Sequence, residues 1–373
     1  MSRKRRIAVL FAVLMVIAPV LSACAKTENT PEENKTEDTV KKIVSEMSTT
    51  EKVTQMMLVR FKTWGTENNA QPVTQLNSQI QDLLIKYQFG GVIVFAENLP
   101  NAEQGVKLIE SMRTASQAGG AKADLLIAVD QEGGYIVRMT ESTWFPGNMA
   151  LAATGDADNA YRAASVMGEE LLACGINVDF GPVVDVNSNP LNPVIGVRSF
   201  GAEPETVAAF GAAYLNGLHE AGIISSLKHF PGHGDTDTDS HTGLPSVDKS
   251  LDELRSFELV PFQAAIDAGA DMVMTAHIVY PQVETTTVTS AADGEEVYLP
   301  ATLSHTILTD LLRDEMGFEG VIVTDSLIMD AIADNFGLTE AAAMAINAGA
   351  DILLDPVRIQ TPDIYLLVIK PCL

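Results

Sequence analysis

The stretch TVAAFGAAYLNGLHEAGIISSLKH, Thr206–His229, holds one complete unit of the fold. Thr206–Glu220 is helical in composition, and Ala221-Gly222 follows it. Glycine at that point supplies the left-handed cap that turns a chain out of a helix. Ile223–His229 is then a short apolar run, nearly continuous, that ends on Lys228-His229. A run without strict apolar/polar alternation is what a parallel strand covered on both faces requires. The polar pair stands at its C-terminal end.

Working outward from this unit, the pattern recurs along the chain. Further apolar runs occupy Met56–Phe61, Gly91–Phe95, Leu125–Asp130, Ile176–Asp185, Asp271–His277, Gly320–Asp325 and Asp351–Asp355. Longer stretches of helical composition separate them. Ala173-Cys174-Gly175, Ala268-Gly269-Ala270 and Ala348-Gly349-Ala350 repeat the glycine stop. Eight strand–helix units predict an α/β chain folded as a (β/α)8 TIM barrel. A doubly wound open sheet fits less well, because no Gly-rich phosphate loop follows the first strand. In a barrel the C-terminal strand ends carry the active site, and Asp130, Asp185, Lys228-His229, His277 and Asp325 all fall there. The last residues depart from the pattern. Thr361–Leu373 (TPDIYLLVIKPCL) is short and apolar and holds Pro362 and Pro371 where a closing helix is due. It reads as a truncated or frame-shifted end, or else as a divergent closing segment, so the barrel is expected without its normal C-terminal end.

The densest chemistry lies in KHFPGHGDTDTDSH, Lys228–His241. Asp235, Asp237 and Asp239 imitate the opening of a calcium-binding loop, but Ser240 replaces its glycine and Ser246 stands where the bidentate glutamate belongs. His229 and His233 are four apart, yet Pro231 and Gly232 between them break the helix that a zinc motif of that spacing needs. No metal site is expected. Asp239 and His241 read better as a pair. A carboxylate holds an imidazole in one tautomer and stabilises its protonated form, which suits proton transfer near neutrality. Taken alone, the stretch also fits a solvated acidic loop.

The N-terminus stands outside the fold. Arg3, Lys4, Arg5 and Arg6 precede the apolar run Ile7–Val20, and Leu21-Ser22-Ala23-Cys24 follows. That order resembles a bacterial lipoprotein signal, residues 1–23, with Cys24 lipidated as the mature N-terminus; an uncleaved membrane anchor is the alternative. The apolar run is short for a bilayer span. Residues 24–39 are almost without aliphatic side chains and read as a flexible tether. Residues 40–373 are left for the barrel. The chain carries 24 basic and 49 acidic residues; without the four basic ones ahead of Cys24 the balance is 20 against 49, a formal −29. A field of that sign repels nucleic acid. Cys174 and Cys372 are too few and too far apart in sequence for a disulfide framework.

The Lys228–Gly234 run followed by Asp239-Ser240-His241 resembles the hallmark of glycoside hydrolase family 3 β-N-acetylglucosaminidases of the NagZ type. Val129–Gly134 with Arg138, Asn187–Pro190, Asn192–Gly196, Arg198–Gly201 and Val323–Met329 match other segments of that family in the same order. Tyr135 stands where many relatives have arginine. The resemblance implies roles by position. Asp325 would be the nucleophile that forms a glycosyl-enzyme intermediate, and His241 the general acid/base assisted by Asp239. Asp130, Arg138, Arg198, Lys228 and His229 would hold the sugar, with Arg198 and Lys228 close enough to keep Asp325 ionised. The implied function is a retaining exo-β-N-acetylglucosaminidase of peptidoglycan fragments, without cofactor, lipid-anchored outside the cell membrane. Two alternatives stand beside it. One is a phosphorylase of the same family, since a neutral imidazole admits phosphate where a carboxylate would repel it. The other is an inactive sugar-binding lipoprotein.

Overall fold

The computed structural model describes residues 31–357, apart from 67 and 242. The signal segment, Cys24, the start of the tether and the odd stretch Thr361–Leu373 lie outside these residues. Contacts divide the chain after Met47. In the first part, Pro31–Glu46 is a helix. The segment read as a flexible tether is therefore helical from residue 31 onward. Its Glu and Lys residues lose little side-chain freedom in a helix, and Pro31 fits a first helical position.

The second part holds eight parallel strands: β1 Met57–Arg60, β2 Gly91–Ile93, β3 Leu126–Val129, β4 Val178–Asp179, β5 Ile224–Phe230, β6 Met272–Thr275, β7 Val321–Val323 and β8 Leu353–Leu354. Each lies within one of the predicted runs, except that β5 runs one residue beyond its own, to Phe230. Neighbours in sequence are neighbours in the sheet, and β8 pairs with β1 through Met57–Leu353 and Leu58–Leu354. The parallel bridge Val323–Ile352, with the Thr324 N–H donating to Ile352 O at 2.9 Å, joins β7 to the start of β8. The ring of strands is thus complete by Leu354, and the fold is the predicted (β/α)8 barrel.

The helical stretches fall between the strands, as in Asp158–Ala173, Pro204–Ala221 and Leu338–Ala348. Gly175, Gly222, Gly269 and Gly349, expected to stop helices, all have positive φ, between 82° and 114°. Alternate residues of each strand point to opposite faces. Val59, Val92, Ile127, Leu227, Val273 and Ile322 belong to the large cluster that includes the helices. Leu58, Ile93, Ala128, Val178, Met272, Val323 and Leu354 form a separate cluster inside the barrel. Burying such a side chain contributes roughly 1.5–3 kcal/mol. In β5 the inward face changes character along the strand. Ile224 packs on the inner cluster, and Ser226 and Lys228 follow on the same face. The barrel is plugged by apolar side chains below and charged above.

Candidate active site

Lys228 is 1% exposed. Its ammonium lies 2.7 Å from both Asp130 Oδ1 and Glu132 Oε1. Arg198 grips the same Glu132 with two bonds, 2.8 Å from Nε to Oε2 and 2.7 Å from Nη2 to Oε1. Burial opposes the charge on Glu132, but Lys228 and Arg198 outweigh it and hold the carboxyl far below its usual range. Burial likewise works against charge on Lys228, and Asp130 and Glu132 raise its pKa in spite of that. Two cations and two carboxylates compensate one another where a lone charge would be costly.

The loop after β5 is tied down from below. Asp185, fully buried, accepts the N–H groups of His229 (3.1 Å) and His233 (2.6 Å) on one oxygen and His229 Nδ1 (2.8 Å) on the other. Asn192 Nδ2 donates to His233 O at 2.8 Å. A Cβ on Gly234 would stand 1.8 Å from Val186 O, so only glycine passes there. Beyond this anchored part, Asp239 and His241 form the expected pair. Asp239 Oδ1 lies 2.8 Å from His241 Nδ1 and accepts the His241 N–H at 2.9 Å. The carboxylate favours the proton on Nδ1 and leaves Nε2 for exchange. The His241 side chain is 65% exposed.

Asp325 follows β7 and takes the Ser326 N–H on Oδ1 at 2.7 Å. His277, buried, bridges Thr302 Oγ1 at 2.8 Å and Ser326 O at 3.0 Å. Burial disfavours the Asp325 carboxylate, yet His277, His229, the Ser326 N–H and His241 together hold its pKa below the usual value. The expectation that Arg198 and Lys228 keep it ionised is corrected here. Those cations are paired with Glu132 and Asp130, and the histidines and a backbone donor act on Asp325 instead.

These groups open into one cavity of about 420 Å³. Asp130, Arg138, Arg198, Lys228, His229, His241 and Asp325 all line it, and Asp239 reaches it through His241. Tyr135 is exposed. Sequence reasoning missed Glu132, Arg60 and Asp355, which line the same cavity. Glu132 was visible as a second carboxylate two residues after Asp130. Nothing local marks Arg60 or Asp355, whose neighbourhood arises only when β8 meets β1.

A (β/α)8 barrel that gathers an ionised carboxylate and a carboxylate-backed imidazole in one sugar-sized cavity has the architecture of a glycoside hydrolase. The chain belongs to the glycosyl hydrolase family 3 N-terminal domain family, whose pattern matches residues 48–368. It is 45% identical over 295 residues to "Beta-hexosaminidase A" of Pseudoalteromonas piscicida, over 77% of this chain and 49% of that protein. It therefore spans about half the length of that relative. Identity to the "Beta-hexosaminidase" of Stenotrophomonas maltophilia (strain K279a) is 37% over 288 residues, 75% of this chain and 80% of that one. Among solved structures, a glycoside hydrolase family 3 β-N-acetylglucosaminidase from Paenibacillus sp. str. FPU-7 superposes with a TM-score of 0.75 at 42% identity, covering 83% and 55% of the two chains. NagZ from Neisseria gonorrhoeae gives 0.67 at 34% identity over 80% of each.

Proposed function

We propose that the protein is a retaining exo-β-N-acetylglucosaminidase that removes terminal β-linked N-acetylglucosamine from peptidoglycan fragments. The observation that carries this reading is the meeting of Asp325 and the Asp239-backed His241 in one cavity. In the first step Asp325 attacks the anomeric carbon, and the departing glycosidic oxygen takes the proton from His241 Nε2. In the second, His241 takes a proton from water, whose oxygen displaces Asp325 and releases the sugar with its configuration retained. Asp130, Arg138, Arg198, Lys228 and His229 hold the sugar. Support for N-acetylglucosamine comes from the names of the relatives. Support for a cell-wall substrate comes from residues 1–24, which would export the chain and anchor it on the outer face of the membrane. Mass spectrometry of the N-terminal peptide tests that anchor: a diacylglyceryl group on Cys24 is expected, and an unmodified Cys24 in natively expressed protein overturns it.

The activity is tested by hydrolysis of a chromogenic β-N-acetylglucosaminide beside the matching β-glucoside, with the product anomer followed by NMR. Faster release from the N-acetylglucosaminide, the β-anomer appearing first, and loss of both in Asp325→Ala are expected. A sugar 1-phosphate formed in phosphate buffer would make it a phosphorylase. No turnover of either glycoside would favour a binding protein.

A further inference from the structure

One wall of the cavity, beside Asp325, has no part in the scheme above. Asp355 directly follows β8, and its side chain is 2% exposed, yet it lines the cavity. Its φ is +49°, a left-handed conformation that few residues other than glycine adopt. Oδ2 accepts a hydrogen bond from Ser326 Oγ at 3.1 Å and lies 3.4 Å from Arg60 Nη1. Oδ1 is buried and finds no partner among the described residues. A buried carboxylate oxygen left without a partner is costly, and so is a strained backbone. A buried orphan in a cavity wall, on strained backbone next to the reacting carboxylate, points to a ligand that completes it.

We propose that Asp355, with Arg60 beside it, is a specificity-determining residue whose Oδ1 hydrogen-bonds a polar substituent of the sugar bound at Asp325. This rests on the proposed glycosidase reading. A sugar ring with its anomeric carbon at Asp325 expels water from the neighbouring β8 wall. Oδ1, without a partner among the described residues, then depends on the sugar for one, and a sugar lacking that group leaves it stranded. Burial pushes the Asp355 carboxyl up to about 7 against the pull of Arg60 and Ser326, with Asp325 and Asp130 adding repulsion. Near neutrality it therefore occurs both with and without its proton. A hydroxyl can answer either form, and an amide N–H answers the carboxylate.

The test is a cycle between enzyme and substrate. Wild-type enzyme and Asp355→Ala are assayed on a nitrophenyl N-acetyl-β-glucosaminide and on its 3-, 4- and 6-deoxy analogues and the 2-deoxy glycoside. One of the four substituent changes should lower kcat/KM of the wild type by roughly 10-fold or more and that of Asp355→Ala by less than about 3-fold. The parent substrate should itself lose roughly 10- to 100-fold in the variant. Equal penalties in both enzymes at every ring position would overturn the assignment and leave Asp355 a structural residue. Should Asp355→Ala not fold, Asp355→Asn, which tolerates the left-handed backbone, carries the same cycle with a smaller coupling of roughly 3-fold. A wild type that does not cleave the parent glycoside sinks the proposed function. A wild type that cleaves it without coupling sinks only this inference.

Discussion

At His241 the proposed chemistry depends on a single contact, the 2.8 Å bond from Nδ1 to Asp239. Burial alone would raise the Asp239 pKa, but the two bonds from His241 and the charges of His241 and His233 lower it, so the carboxylate is ionised when the imidazole needs it. If His241 gives the proton, its loss hurts a substrate in proportion to the need of the leaving group. His241→Ala should slow glycosylation by about 10²- to 10⁴-fold for a sugar-linked aglycone, and far less for a dinitrophenyl glycoside. Asp239→Asn should fall in the same direction but less far, because the imidazole remains. Pre-steady-state rates measure this, since His241 also serves the second step. Equal losses for good and poor leaving groups would give His241 a binding role and leave the donor to be found elsewhere. The pair was legible in sequence because its members are two residues apart on one loop. The cation partners of Glu132 were not, since Arg198 and Lys228 lie 66 and 96 residues further along.

At the scale of the element, the loop after β5 is rigid where it leaves the strand and exposed where it acts. Asp185 makes that division. It gathers two backbone donors and one ring nitrogen that no other described carboxylate accepts. Asp185→Ala leaves all three buried without that acceptor, which should cost about 3–5 kcal/mol of stability. Urea unfolding monitored by circular dichroism reads the cost, and turnover should fall because His229 loses its orientation. An unchanged midpoint together with unchanged kcat would show that the loop holds itself. The eight strands were legible because each is a compact apolar run and four glycines mark where the chain leaves a helix. The helix Pro31–Glu46 was not, since its first half is polar and charged and its apolar positions, Val40, Ile43 and Val44, come only toward its end.

The whole molecule carries a pH-dependent load at Asp179. This residue of β4 is fully buried, one oxygen accepting the Gln131 N–H at 2.9 Å and the other without a partner among the described residues. Burial raises its carboxyl from 3.8 to about 8, more than the Gln131 bond and Lys228 bring it down. The native state therefore binds more protons than the unfolded chain between those values. Stability from this group is present below pH 3.8 and is lost as pH rises through about 8. Asp179→Asn keeps the acceptor for Gln131 and removes the ionisation. Its stability relative to wild type should improve from pH 5 to pH 8 by on the order of 3 kcal/mol. Thermal unfolding across that range checks it, and a difference independent of pH would show Asp179 to be ionised in the native state.

The strand runs, the glycine stops and the Asp239–His241 pair were determined by the sequence alone, because each depends on neighbours within one turn or one strand. Closure of the barrel decided the rest. It brings Lys228 of β5 onto Asp130 and Glu132 beyond β3, across an intervening strand. It also brings Asp355 to Arg60, 295 residues away in sequence and next to it in the ring. Which carboxylate keeps a cation, which is neutral and which faces the cavity follow from those meetings. A local pattern cannot hold that information, since charge pairing and desolvation depend on distance in space.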